Sequence, residues 1–172
     1  MSEQNNKSLY EEQKVAKPKV DEIMNASLKN DNKKNALEFV HFIKSLKMTP
    51  QWASANSWAV NYKNKRVCYI KVSKDTTEDG FWSIRPSVEY DDDLYAFCQK
   101  ENLINIMLQS VHYCGACGKC APGKRVIFFG KELDNVCCAP IDFEFHNPDI
   151  EVMDCAKKLV IYIRNVISDK QG

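Results

Sequence analysis

An α+β domain is what this sequence predicts, and three observations carry that expectation. Apolar residues recur at helical spacing between Val20 and Leu46, then change to a period of two around Trp58, Val60 and Tyr62. A helical stripe returns from Met153 to Ile167. Helices, a sheet, a helix, a hairpin and a last helix describe an antiparallel sheet with N-terminal helices, a central helix and a C-terminal helix.

Residues 1 to about 17 are polar, with only Leu9, Tyr10 and Val15 to bury, which suits a loose arm or a short docked helix. Pro18 can open a helix at its first position, and Val20, Ile23, Met24 and Leu28 follow on one face. Asn30-Asp31-Asn32 breaks that helix and caps a second, whose buried stripe is Ala36, Phe39, Val40, Ile43 and Leu46 before Thr49-Pro50. Trp58 to Tyr62 and Arg66 to Val72 flank the turn-prone Lys63-Asn64-Lys65 and read as a hairpin. Phe81 to Arg85 is a third strand, ended by Pro86. Asp91-Asp92-Asp93 places acids at a helix N-terminus, where the dipole favours them. The stripe Leu94, Phe97, Cys98 resumes at Ile104, Met107, Leu108 and Val111 after a break near Asn102. A cysteine loop spans Tyr113 to Pro122. Arg125 to Phe129 and Leu133 to Cys138 form a second hairpin about Gly130-Lys131, and Ile141 to Phe145 alternates again. Asn147-Pro148-Asp149 combines a cap, a first-position proline and an acid ahead of Met153, Ala156, Leu159, Val160, Ile163 and Ile167. We expect residues 1–30 to form an N-terminal helical arm and residues 31–172 a single α+β domain carrying the cysteine loop.

The chain has 172 residues, enough for a sizeable core. A net charge of +1 supplies no field that would draw nucleic acid or an anionic membrane. There is no apolar run of spanning length, and the polar start Met1-Ser-Glu-Gln-Asn-Asn lacks the apolar stretch of a signal peptide, so a cytoplasmic location is expected. In a reducing compartment eight cysteines point to metal ligands or reactive thiols rather than to a disulfide framework.

Cys114-Gly-Ala-Cys117-Gly-Lys-Cys120 carries two successive C-x-x-C spacings, and Cys137-Cys138 follows. Gly115 and Gly118 permit the tight turn that aims sulfurs at one point, as a soft metal ion needs. Cys114, Cys117 and Cys120 supply up to three ligands of a tetrahedral zinc site, and Cys137 or Cys138 the fourth. Successive strand residues face opposite ways, so only one of that pair would face the ion. His112 and His146 are near enough in sequence to substitute. Lys119, Lys124 and Arg125 would offset thiolate charge. The same spacing opens some iron–sulfur runs, though the fourth cysteine is displaced here. A thiol redox role, and simple packing of small apolar side chains, are the remaining readings. Cys68, Cys98 and Cys155 lie among apolar residues and read as packing residues.

Trp52, Trp58, Tyr62, Tyr69 and Trp82 concentrate in the hairpin region and are best read as core and sheet packing. The sharper alternative is an aromatic pocket for a small molecule, with Arg85 and Glu89 to orient it. His41 reads as lying beside the core. The basic Lys63 to Arg66 turn is too short to argue for nucleic acid. No catalytic constellation is recognisable.

The segments Lys47-Met-Thr-Pro-Gln-Trp52, Val67-Cys-Tyr-Ile70, Cys114 to Arg125 and Phe129-Gly-Lys-Glu-Leu-Asp-Asn-Val-Cys137 resemble an uncharacterised cysteine-motif family of clostridial and related bacteria. Some of its members carry the label of AraC-type transcriptional regulators. The first hairpin, third strand and following helix resemble the YdhG-like α+β fold more weakly. The family resemblance implies Cys137 rather than Cys138 as the fourth thiol, and it brings no activity with it. The expectation is therefore a cytoplasmic binding or regulatory module with a structural zinc site at Cys114, Cys117, Cys120 and Cys137, taking a small-molecule ligand or a protein partner. A small-molecule sensor with an aromatic pocket, and a thiol redox or iron–sulfur protein, are its alternatives.

Overall fold

The computed structural model describes residues 2–73, 77–115, 122–139 and 142–170. Three helices open the chain: α1 (Ser2–Ala16), α2 (Val20–Ser27) and α3 (Asn30–Ser45). Four strands follow, β1 (Gln51–Ser54), β2 (Ser57–Tyr62), β3 (Lys65–Ser73) and β4 (Phe81–Pro86), then α4 (Asp92–Lys100) and α5 (Ile104–Gln109). The chain ends with β5 (Lys124–Phe128), β6 (Lys131–Val136), β7 (Phe145–His146) and α6 (Ile150–Asp169). This is the α+β arrangement read from the sequence, with an antiparallel sheet, N-terminal helices and a C-terminal helix; the expected central helix is divided into α4 and α5.

The main sheet has the order β1-β2-β3-β4-β7, and β5 pairs with β6 in a second ladder. Two single-pair bridges, Val111↔Phe143 and Tyr113↔Val136, join the ladders through residues 110–114. The antiparallel register places Trp58, Ile70, Ile84 and Phe145 on one face. All four are buried, and α3 and α6 pack against one another and against β4 on this side. Phe39 of α3 reaches Trp82 with ring centroids 6.1 Å apart. The opposite face carries Tyr69, Lys71, Ser83, Arg85 and His146.

Several boundaries differ from the expectation, each for a local reason. Pro18 does not open α2; its carbonyl accepts a hydrogen bond from Trp58 Nε1, and the helix begins two residues later. Asp149, not Asn147, caps α6 by accepting from the Val152 amide. Asn147 sits at φ +40°, and its side chain accepts from the Trp82 amide, tying the approach to α6 onto β4. The second hairpin turns at Phe129 and Gly130, both at positive φ, one residue before the expected pair. β1 was not anticipated. Trp52 pairs with Trp58, and the turn at Asn56 takes φ +52°. The break at Asn102 (φ +58°) separates α4 from α5 and the acidic run stands at the N-terminus of α4, both as expected; Asp91 is its cap, accepting from the Leu94 amide. His41 is exposed.

The helices of residues 1–30 rest on the rest of the chain. Val20, Met24 and Leu28 belong to the common core. Gln13 of α1 is buried; its Oε1 accepts from Trp52 Nε1 and the Asn56 amide, and its amide donates to Asn56 Oδ1. No helix among the described residues is long and apolar enough to cross a membrane.

Candidate functional site

Residues 110–114 form the seam between the two ladders and position most of the chemistry. On one side, the Cys114 amide donates to the Asn135 carbonyl (2.8 Å) and the Cys137 amide donates to the His112 carbonyl (2.8 Å). These bonds flank the Tyr113↔Val136 pair. By the two-residue period of a strand, Cys114 and Cys137 lie on the same face as diagonal neighbours. Such neighbours are about 7 Å apart at Cβ, within reach of one ion about 2.3 Å from each sulfur.

Asn135 joins both roots of the cysteine loop. It takes φ +62°, its carbonyl receives Cys114 and its side-chain oxygen receives the Gly123 amide at 3.0 Å. Gly123 runs so close to β6 that an added Cβ would lie 2.4 Å from the Val136 carbonyl oxygen. Cys117 and Cys120 lie outside the described residues. Cys137 is buried and Cys138 exposed, both just past the end of β6 at Val136. Lys124 and Arg125 do not stand beside the thiols as lone charges. Lys124 pairs with Asp142 at 3.0 Å, and Arg125 pairs with Asp134 at 2.6 Å and Glu132 at 3.2 Å. Lys119 is outside the described residues.

On its other side the seam pairs with residues 142–144. The His112 amide donates to the Asp142 carbonyl and the Glu144 amide to the Ser110 carbonyl. Glu144 therefore shares a face with His112 and, two residues on, with His146. Its side chain is only 3% exposed. Oε1 receives the Ser83 hydroxyl at 2.7 Å and ion-pairs with Arg85 Nε at 2.9 Å. Oε2 lies 3.0 Å from His112 Nδ1 and 3.4 Å from His146 Nε2. Burial alone would raise the Glu144 pKa. The contacts from His146, Arg85 and Ser83, with the charge of Arg85, outweigh it and hold the carboxyl well below the usual range. Burial pushes His112 below the ordinary imidazole value; Arg85 and His146 add to that, and Glu144 opposes it. The Phe81 ring meets His146 edge-on.

Sequence reasoning missed this carboxylate. The available signal was a charged residue between Phe143 and Phe145, with a histidine two positions later, in a stretch of alternating apolar residues.

Two cavities lie near the seam and along α6. One of about 250 Å³ is lined by Tyr69, Arg85, Glu89, Lys124 and Asp142 among others. A larger one, about 500 Å³, lies between the start of β3, residues 87–91 and the end of α6, with Arg66, Glu89, Tyr162 and Ile163 in its wall. Trp58 and Trp82 line neither; both are fully buried in the core. Cys68, Cys98 and Cys155 are buried, and burial pushes each thiol up to about 12.

Comparison with protein-family models, with curated proteins and with solved structures finds no match for this chain.

Proposed function

We propose that this chain is a cytoplasmic binding or regulatory module in which Cys114, Cys117, Cys120 and Cys137 hold one structural zinc ion. The observation that carries the reading is the double hold of Asn135 on both roots of the loop. Cys114 and Gly123, which flank the segment bearing Cys117 and Cys120, both bond to Asn135, two residues before Cys137. Two roots already held together lower the closure entropy that coordination would otherwise cost. Zinc fits a set of four thiolates, and its binding would add directly to folding stability.

Metal analysis of the purified protein tests the reading. One thiolate-bound zinc per chain is expected, lost with a fall in melting temperature on chelation and absent from Cys117→Ser. A metal-free protein whose melting temperature ignores both zinc and chelator would overturn it. Visible absorption with iron and sulfide in the preparation would transfer the ligands to an iron–sulfur cluster.

A small-molecule sensor is the second reading, and the larger cavity favours it. Arg66 lines that cavity with Nη1 buried and without a hydrogen-bond partner among the described residues, while its guanidinium carbon lies 4.1 Å from the Tyr69 ring centroid. A cation so placed suits an anionic ligand. A thermal-shift screen of small carboxylates and phosphates should give hits that Arg66→Met removes; hits insensitive to that change would place the ligand elsewhere.

A further inference from the structure

We propose that His112, Glu144 and His146 form a second metal centre, distinct from the cysteine cluster, taking one first-row divalent cation of the Zn²⁺ type through His112 Nδ1, Glu144 Oε2 and His146 Nε2. The three ligand atoms lie within 4.8 Å of one another. Bonds of about 2.0–2.1 Å in tetrahedral arrangement set ligand atoms ~3.3 Å apart. The separations from the carboxylate oxygen, 3.0 and 3.4 Å, bracket that edge. They also suit hydrogen bonds, so a cation can take the place of the ring protons that face Glu144, each neutral imidazole carrying its proton on its other nitrogen.

The surroundings are those of a supported ligand set. Each of the three residues is fixed through the backbone: His112 and Glu144 by the bridges across the seam, His146 by its pairing with Ser83. The oxygen of Glu144 that faces away from the imidazoles is held by the Ser83 hydroxyl and Arg85, which orients the other oxygen toward the two rings. Outer contacts of this kind fix the direction of a ligating carboxylate. Two borderline imidazoles beside one hard carboxylate suit Zn²⁺, Co²⁺ or Fe²⁺ rather than Ca²⁺ or Mg²⁺, which take oxygen ligands. Three protein ligands leave one position for water or a small anion.

The chain has three histidines, and the third, His41, is exposed on α3. Long-range ¹H–¹⁵N spectra of the full-length protein therefore contain three imidazoles and an internal control. On titration with Zn²⁺, the His112 Nδ1 and His146 Nε2 resonances should shift to ligated values while His41 stays put. His146 is 57% exposed, so His146→Ala should keep the fold. It should bind one ion fewer per chain, or bind that ion weaker by at least the roughly 10–100-fold that disturbing even an outer contact costs. Zinc bound in full with the His112 and His146 signals unmoved would overturn the proposal, as would unchanged stoichiometry and affinity in His146→Ala. The cysteine reading is judged separately, because thiolate-bound zinc is lost with Cys117→Ser and leaves the imidazole spectra unchanged.

Discussion

Replacing Glu144 by glutamine keeps the shape of the side chain and removes its charge. Arg85 would then lose its ionic partner while its own side chain is only 25% exposed. Breaking a fully buried pair costs about 3–5 kcal/mol, and partial solvation of Arg85 reduces that to roughly 1–3 kcal/mol. Urea denaturation should show a lower midpoint with an unchanged slope. Glu38→Gln is the control, since its partner Lys157 holds it at the surface; there the change should stay within about 0.5 kcal/mol. Equal effects at the two sites would mean that the seam network adds nothing to stability. The buried thiols give a pH dependence of known sign. Cys68, Cys98 and Cys155 ionise near 12 when folded against an ordinary value of 9.0, so the unfolded chain releases these protons first. Their contribution is intact below pH 9 and is lost as pH rises toward 12, by about 1 kcal/mol per thiol per pH unit. Stability measured at pH 8 and pH 10 should differ accordingly, and Cys68→Ala with Cys155→Ala should shrink the difference. At this scale the sequence was legible where residue type and spacing were local. The cap at Asp91 and the break at Asn102 act within one turn of chain, whereas the partners of Glu144 come from positions 83, 85, 112 and 146 and meet only through strand register.

The second hairpin and the residue that leads into it are joined by the bond between Gly123 and Asn135. Gly123 matters here for want of space rather than for its backbone angle. A methyl group would overlap the Val136 carbonyl, so Gly123→Ala must push the loop root off β6 and break the bond to Asn135 Oδ1. Far-ultraviolet circular dichroism should remain that of the wild type, while affinity for zinc at the proposed thiolate site falls by about 10-fold or more, the cost of roughly one lost orienting contact. Undiminished zinc binding would show that the loop closes without this anchor. Asn135→Gly makes the complementary test, since it keeps the left-handed backbone and removes only the side-chain tether. Element types were readable from periodicity; their ends were not. Pro18 and Pro148 carry helix-start chemistry in sequence, yet Trp58 and Trp82 claim the backbone carbonyl of one and the neighbouring Asn147 side chain of the other. β1 has four residues with one half-buried side chain, too little alternation to register as a strand.

For the whole molecule the open question is where the independently folding unit begins, and the packing of α1 and α2 answers differently for each. α1 meets the sheet edge through Gln13 and the tilted contact of Tyr10 with Trp52. α2 places Val20, Met24 and Leu28 inside the common core, and Pro18 ahead of it accepts from Trp58 Nε1. Burying each of those three apolar side chains is worth about 1.5–3 kcal/mol, so their joint loss removes roughly 5–9 kcal/mol. That is comparable to the whole stability of a typical domain, about 5–15 kcal/mol. A chain starting at residue 18 should therefore fold cooperatively, with a modest drop in midpoint from the loss of the Gln13 contacts. A chain starting at residue 31 should be unfolded or molten, with Trp58 fluorescence shifted to the red as its pocket opens. The two truncations, followed by circular dichroism and fluorescence in urea, decide whether residues 1–30 are an arm on a separate domain. Cooperative folding of the shorter chain would make them one, and its failure alone would make α2 part of the domain proper.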